Sequence, residues 1–300
     1  HLVAVLGPRD LTPAFGDQPA VILSEIRRAS HIQDLKALND RARACALQHL
    51  TGAASSDWIA KFTELVDQTL LSRILALTGQ AATSGCWCVC ESITRREPHL
   101  VLVYGEVEAG WDPLESYVRV ADALTACDYL PGFETPFEPS FYVASATEWG
   151  RRFDGWMRSP VLEQMSRSRP LFDLQPFHGP RAPWEAVRDG VARAVDRDIL
   201  HVLAHDCLAS LPPLTFYQDA VVEESGEQTS VFRLEHSALQ PLVDVGRVFG
   251  MAARRVMGTS TLERFDIARA LLPAHDAIFR DAAATLRILL WQQGRIGISQ

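Results

Sequence analysis

Long hydrophobic runs are missing from this sequence. Its longest apolar stretches, HLVLVY at 99–104 and LRILLW at 286–291, fall far short of the ~20 residues a membrane span needs. That excludes a helical membrane protein as a partner of the bilayer core. The first residues, HLVAVLGPRDLTP, have no initiating Met, basic segment or small-residue cleavage site, so no secretory signal is expected and the chain reads as part of something longer. Cysteine is scarce: six in 300 residues, too unevenly placed for a disulfide framework, which points to a reducing cytoplasm. Cations are in the minority, with 29 Lys and Arg against 37 Asp and Glu and a net charge of -8. This argues against duplex DNA as the main partner, because phosphate contacts need clustered cations. G-x-S-x-G, Walker and G-x-G-x-x-G motifs are also lacking, which removes the usual signatures of a hydrolase elbow, a P-loop and a dinucleotide fold.

What is present is an ordinary globular composition, 47% hydrophobic and 22% charged, long enough for one large domain or two modest ones. The N-terminal part is helical in pattern. Pro19 suits a first helical turn, with Ile22 and Ile26 one turn apart. Ser30 and Gln33 have capping-box spacing before a stripe of Ile32, Leu35, Leu38 and Ala42, and a third amphipathic helix is expected from about Asp57 to Leu77. After a linker at 79–85 the texture changes. CWCVC at 86–90 and HLVLVY read as two buried strands, with Cys86, Cys88 and Cys90 on one face as buried thiols. A helix over 112–127, a strand FYVAS at 141–145, a Trp- and Arg-rich helix at 147–157 and a strand within PLFDLQPFHG at 170–179 complete a small sheet with helices on one face. Pro176 marks an edge or strand-end position in the last of these. From Trp184 onward the pattern is helical: one helix running to Pro212, then QPLVDVGRVFGMAARRVM, TLERFDIARALL and PAHDAIFRDAAATLRILLWQQ. The expected fold class is therefore α+β, with a helical segment over 19–78, a mixed sheet with helices over 79–183 and a helical bundle over 184–300.

With these pieces in order, the chain resembles a known family: bacterial nucleotidyltransferases related to the N-terminal region of the PII-protein uridylyltransferase. The likeness rests on GPRDL and FGDQPAVILSEIRRA, WGRRFDGWM and FDLQPFHG, and PPLTFY, LQPLVDVGRV and TSTLERF, and it covers nearly the whole chain. The resemblance implies that residues 1–18 are the tail of an upstream CBS-like sensory region. It further implies that 79–183 is a nucleotidyltransferase-like domain and 184–300 a helical bundle of the substrate-binding type.

The chemistry that the resemblance implies needs two carboxylates at i and i+2 on a strand, aimed at Mg2+ ions that bridge a nucleoside triphosphate, and a third from a neighbouring strand. The corresponding stretch here is CESITRREPHLVLVYGE at 90–106. Cys90 and Glu91 stand where Gly and Ser are expected, Arg95 and Glu97 match the family's Arg and Glu, and the D-x-D segment is missing. Asp173 matches the later-strand acid as a remnant. Arg95, Arg96 and Glu97 form the candidate phosphate region, since guanidiniums hold phosphate without metal. No metal site is assigned, and Mg2+ enters only if a rearranged site is live.

Other residues carry weaker signals. Glu106 and Glu108 sit past the strand end, where a solvated turn is expected, and His201 and His205 at i and i+4 lack the Glu of H-E-x-x-H. Asp244 with Arg247, and Glu263 with Arg264, fall in stretches that face the nucleotidyltransferase domain in the family, so polar contacts between the two parts are expected. The function implied is a signalling or regulatory protein with a degenerate nucleotidyltransferase fold that binds nucleotide without efficient transfer, with a homo-oligomer expected and no DNA or membrane partner. The alternatives are an active transferase with a rearranged metal site and a non-catalytic dimerisation scaffold.

Overall fold

The computed structural model describes residues 18–51, 56–80, 84–90, 99–127, 138–158, 168–209, 234 and 238–299. Three helices come first: α1 (Pro19–Arg28), α2 (Ile32–Thr51) and α3 (Ser56–Leu77). Each buries one stripe, with Ile22 and Ile26, Leu35 and Ala42, and Leu70 and Ile74 meeting in a common core. The cap of α2 falls one residue later than the sequence pattern suggests: the His31 N–H donates to the Asp34 carboxylate at 3.3 Å.

The sheet follows, with β1 (Gly85–Cys90), β2 (His99–Tyr104), β3 (Val143–Ser145) and β4 (Leu174–His178) in the order β3-β2-β1-β4. It is mixed, as expected. β1 runs antiparallel to both β2 and β4, while β2 and β3 are parallel. Pro176 lies in the edge strand β4, where its missing N–H costs no ladder bond on the open side.

Two strands are shorter than the sequence suggests, because 3-10 turns take their first residues. Pro139–Tyr142 precedes β3, and Arg169–Asp173 precedes β4. The expectation that helices cover one face only is corrected. Successive side chains of β1 point to opposite faces, yet Cys86, Trp87, Cys88 and Cys90 are all fully buried. Trp87 stacks on Tyr117 of α4 (Pro113–Ala126) on one side, and α6 (Ala182–Ala194) packs on β1 and β2.

Between them, α5 (Ala146–Arg158) supplies Trp149, Phe153 and Trp156. Phe153 meets Phe172 of the 169–173 turn edge to face, with ring centroids 5.0 Å apart. That aromatic contact fixes the turn and so the residues at its two ends. Arg152 lies over the Phe141 and Trp149 rings, which explains the joint Trp and Arg content of α5 by cation–π packing.

The single helix expected from Trp184 to Pro212 is two. Val195 leaves helical geometry at ψ 120, and the Asp196 carboxylate accepts from the N–H groups of Asp198 and Ile199, both at 3.0 Å, opening α7 (Arg197–Ala209). An Asp that caps the next turn outcompetes continuation. Beyond lie α8 (Gln240–Ala252), α9 (Thr261–Leu271) and α10 (Asp276–Ser299). α6, α7 and the end of α8 share the first core through Trp184, Ile199, Leu203 and Met251, whereas Leu239, Phe265, Phe279 and Leu286 form a second, smaller one. The last helix, α10, returns to pack on α2 and α3.

Candidate functional site

The turn at 169–173 places two charged residues at the start of β4, and three bundle helices bring four more to meet them. Asp173 is 5% exposed. Its Oδ2 accepts from Nε of Arg247 at 3.1 Å and from Nη2 of the same residue at 2.5 Å. Its Oδ1 lies 2.5 Å from Nη1 of Arg264. The far edge of the Arg247 guanidinium donates to Asp244 Oδ1, and Asp244 Oδ2 lies 3.2 Å from Arg169 Nη1, which is also 3.1 Å from Asp206 Oδ2. Six side chains thus form one alternating row: Arg264, Asp173, Arg247, Asp244, Arg169, Asp206.

Sequence spacing builds part of this row. Asp244 and Arg247 are i and i+3 on α8 and so lie on one face. Arg264 comes from α9, and reaches Asp173 only because α8 and α9 approach closely. A Cβ on Gly250 would sit 2.9 Å from Cγ and Cδ of Arg264, and one on Gly246 would sit 2.8 Å from Thr261 Cγ2. Two glycines a helical turn apart therefore open the lane along which Arg264 runs. Its Nη2 also donates to the Val256 carbonyl at 2.7 Å, and the Gly258 N–H donates to Leu174 O at 3.1 Å, tying the α8–α9 connection to β4 beside Asp173. Gln240 supplies a further donor to Asp244, at 3.0 Å.

The energetics follow from burial. Arg247 and Arg264 are among the largest fully buried side chains of the chain, and an isolated buried charge would cost many kcal/mol. Among the described residues three carboxylates face three guanidiniums, and this mutual pairing is what makes their burial tolerable. Cys207 on α7 sits beside it. Burial, then the charge of Asp244, push its thiol up to about 11, against a smaller downward pull from Arg247.

A divalent metal does not fit the described residues at Asp173. Both of its oxygens already face guanidiniums, and a further cation would meet uncompensated positive charge in a buried place. The crevice beside it, lined by Arg169, Leu203, Asp206, Asp244, Arg247 and Val248, has no interior room for a water molecule. Among the described residues no group of three or more His, Cys, Asp or Glu side chains could hold a metal ion.

The other candidates fall as follows. Arg95, Arg96 and Glu97 lie outside the described residues. Glu106 and Glu108 are exposed in the turn after β2, and His201 and His205 are both exposed on α7. Glu263 closes a capping box with Ser260 at the start of α9, while Arg264 makes the contact with the α/β part. Arg169 and Asp206 were not legible as site residues. They lie 37 positions apart, and no periodicity links them.

Comparison with known proteins bears on the same helices. Residues 197–298 match the family model described as "Putative nucleotidyltransferase substrate binding domain", which relates this part of the chain to nucleotidyltransferases. The span carries Asp206, Asp244, Arg247 and Arg264, while Arg169 and Asp173 precede it. No curated protein and no solved structure matches the chain significantly. No helix among the described residues is long and apolar enough to cross a membrane.

Proposed function

We propose that this chain is a signalling or regulatory protein whose nucleotidyltransferase-like α/β part, over 79–183, binds nucleotide without efficient transfer and is held against the bundle over 184–300. The observation that carries this reading is the engagement of Asp173 by two guanidiniums from the bundle. A transferase carboxylate has to present its oxygens to metal and triphosphate. Here those oxygens are spent on holding two layers of the protein together. The match of the C-terminal helices to a nucleotidyltransferase substrate-binding domain supports a nucleotide as the ligand, with Arg95, Arg96 and Glu97 as the phosphate region. In this reading residues 1–18 lead from a CBS-like sensory domain, 19–78 is the helical segment between them, the protein is a cytoplasmic homo-oligomer, and Mg2+ is dispensable.

The alternative, an active transferase with a rearranged metal site, draws on the presence of Asp206 and Asp244 in the same row as Asp173. Each is separated from Asp173 by at least one guanidinium, which weighs against it. One experiment separates the two. The chain is incubated with labelled ATP, GTP and UTP and a PII-like acceptor, with Mg2+ or Mn2+, and nucleotide binding is followed by calorimetry in chelator. The proposal expects no incorporated label, and metal-independent binding with Kd of ~10 μM to 1 mM that weakens in Arg95→Ala. Metal-dependent label lost in Asp173→Asn would establish the alternative, and no binding at millimolar nucleotide would leave the dimerisation scaffold.

A further inference from the structure

Asp173 and Asp244 come from different layers, one from the turn before β4 and one from α8, and both use the same partner. Arg247 presents its Nε and Nη2 edge to Asp173 and its Nη1 to Asp244. A cation held between two carboxylates of separate elements is the arrangement by which a metal ion joins such layers. The difference lies in the charge and in how it is delivered. A guanidinium carries one positive charge that is never lost by deprotonation in a protein, and its position is fixed by the helix that bears it.

The balance of charge in the row bears directly on its affinity for metal. Among the described residues Arg264, Arg247 and Arg169 balance Asp173, Asp244 and Asp206, so the charges seen in the buried row already cancel. A divalent ion entering it would add two uncompensated charges. It would also have to leave its hydration water behind, at a cost that is high for Mg2+, because the crevice has no interior room for a water molecule. We infer that Arg247, backed by Arg264, is the resident cation of this site, holding the place between Asp173 and Asp244 that a divalent metal would otherwise take. The inference deepens the proposed function, on which it rests: metal-independence becomes a property built into the bundle and not only a loss from the α/β part.

It follows that removing the guanidinium exposes a carboxylate pair that metal can use. The probe is Mn2+ alone, without nucleotide, followed by the electron paramagnetic resonance of the free ion, on wild type, Asp173→Asn, Arg247→Met and the Arg247→Met/Asp173→Asn double variant. Wild type and Asp173→Asn are expected to give the same Mn2+ titration. Arg247→Met is expected to gain one site that the double variant lacks, and its melting midpoint should rise by about 2–4 °C in Mn2+ over chelator. A folded Arg247→Met chain with no added site would overturn the inference. So would a wild-type chain that binds more Mn2+ than Asp173→Asn. Should Arg247→Met not fold even in Mn2+, the wild-type comparison decides alone. Because no nucleotide enters, failure here is distinct from failure of nucleotide binding.

Discussion

At the scale of single residues, the charges that join the two parts of the chain are buried and paired. Asp173 was legible as a residue of interest from its place in FDLQPFHG, and Asp244, Arg247 and Arg264 from stretches expected to face the α/β part. The structure joins these expectations into one object. What the sequence could not carry was the pairing itself, because Asp173 and Arg247 are separated by 74 residues and ion-pair geometry leaves no local pattern. Cys207 offers a residue-scale test, since its thiol feels both signs of the row. With a folded pKa of about 11 against an ordinary 9.0, the thiol favours its neutral form in the native chain. Its contribution to stability is therefore present below pH 9 and lost as pH rises through about 11. Removing the raising charge in Asp244→Asn should bring the alkylation midpoint of Cys207 down, and removing the lowering charge in Arg247→Met should move it up. Alkylation followed by mass spectrometry across alkaline pH checks this. Equal midpoints in both variants would place Cys207 out of reach of the row.

At the scale of elements, most of the helices and all four strands could be read from periodicity and punctuation, because amphipathic stripes and short apolar runs are local properties. Three features escaped that reading for physical reasons. Asp196 divides a continuous apolar pattern by capping α7, and capping is a property of one side chain within a run that otherwise favours helix. Arg169–Asp173 is a turn and not a strand, because Phe172 is claimed by the aromatic packing of α5. The close approach of α8 to α9 depends on Gly246 and Gly250, which within a helical pattern look only like weak points. Gly250→Ala is expected to cost about 1–3 kcal/mol, because the new methyl meets the Arg255 carbonyl and the Arg264 stem, each at 2.9 Å. Urea denaturation checks the magnitude. A neutral or stabilising Gly250→Ala, the usual result at a roomy helical glycine, would mean that the two helices do not depend on this contact.

At the scale of the whole molecule, the row of six charges stands where the family-matched helices meet the sheet, and the two hydrophobic cores lie to either side of α8. The first core takes in α1 to α7, so the sheet is buried by helices from before and after it. α10 returns to α2 and α3, which closes the chain on itself. In such an arrangement apolar packing supplies most of the driving force, and the charged row fixes which surfaces face each other. Breaking one partner of a buried pair leaves the other uncompensated, so Asp173→Asn and Arg247→Met should each cost about 3–5 kcal/mol. Their double variant should cost less than the sum, since the second change removes the charge that the first had stranded.

The most direct measurement of the central claim is this double-mutant cycle, read from urea denaturation of wild type, Asp173→Asn, Arg247→Met and the two together. A favourable coupling of at least about 1.5 kcal/mol between the two positions is expected. Additive losses, or losses below about 0.5 kcal/mol for both single variants, would contradict it, because Asp173 would then be free of the bundle and its carboxylate available for other chemistry.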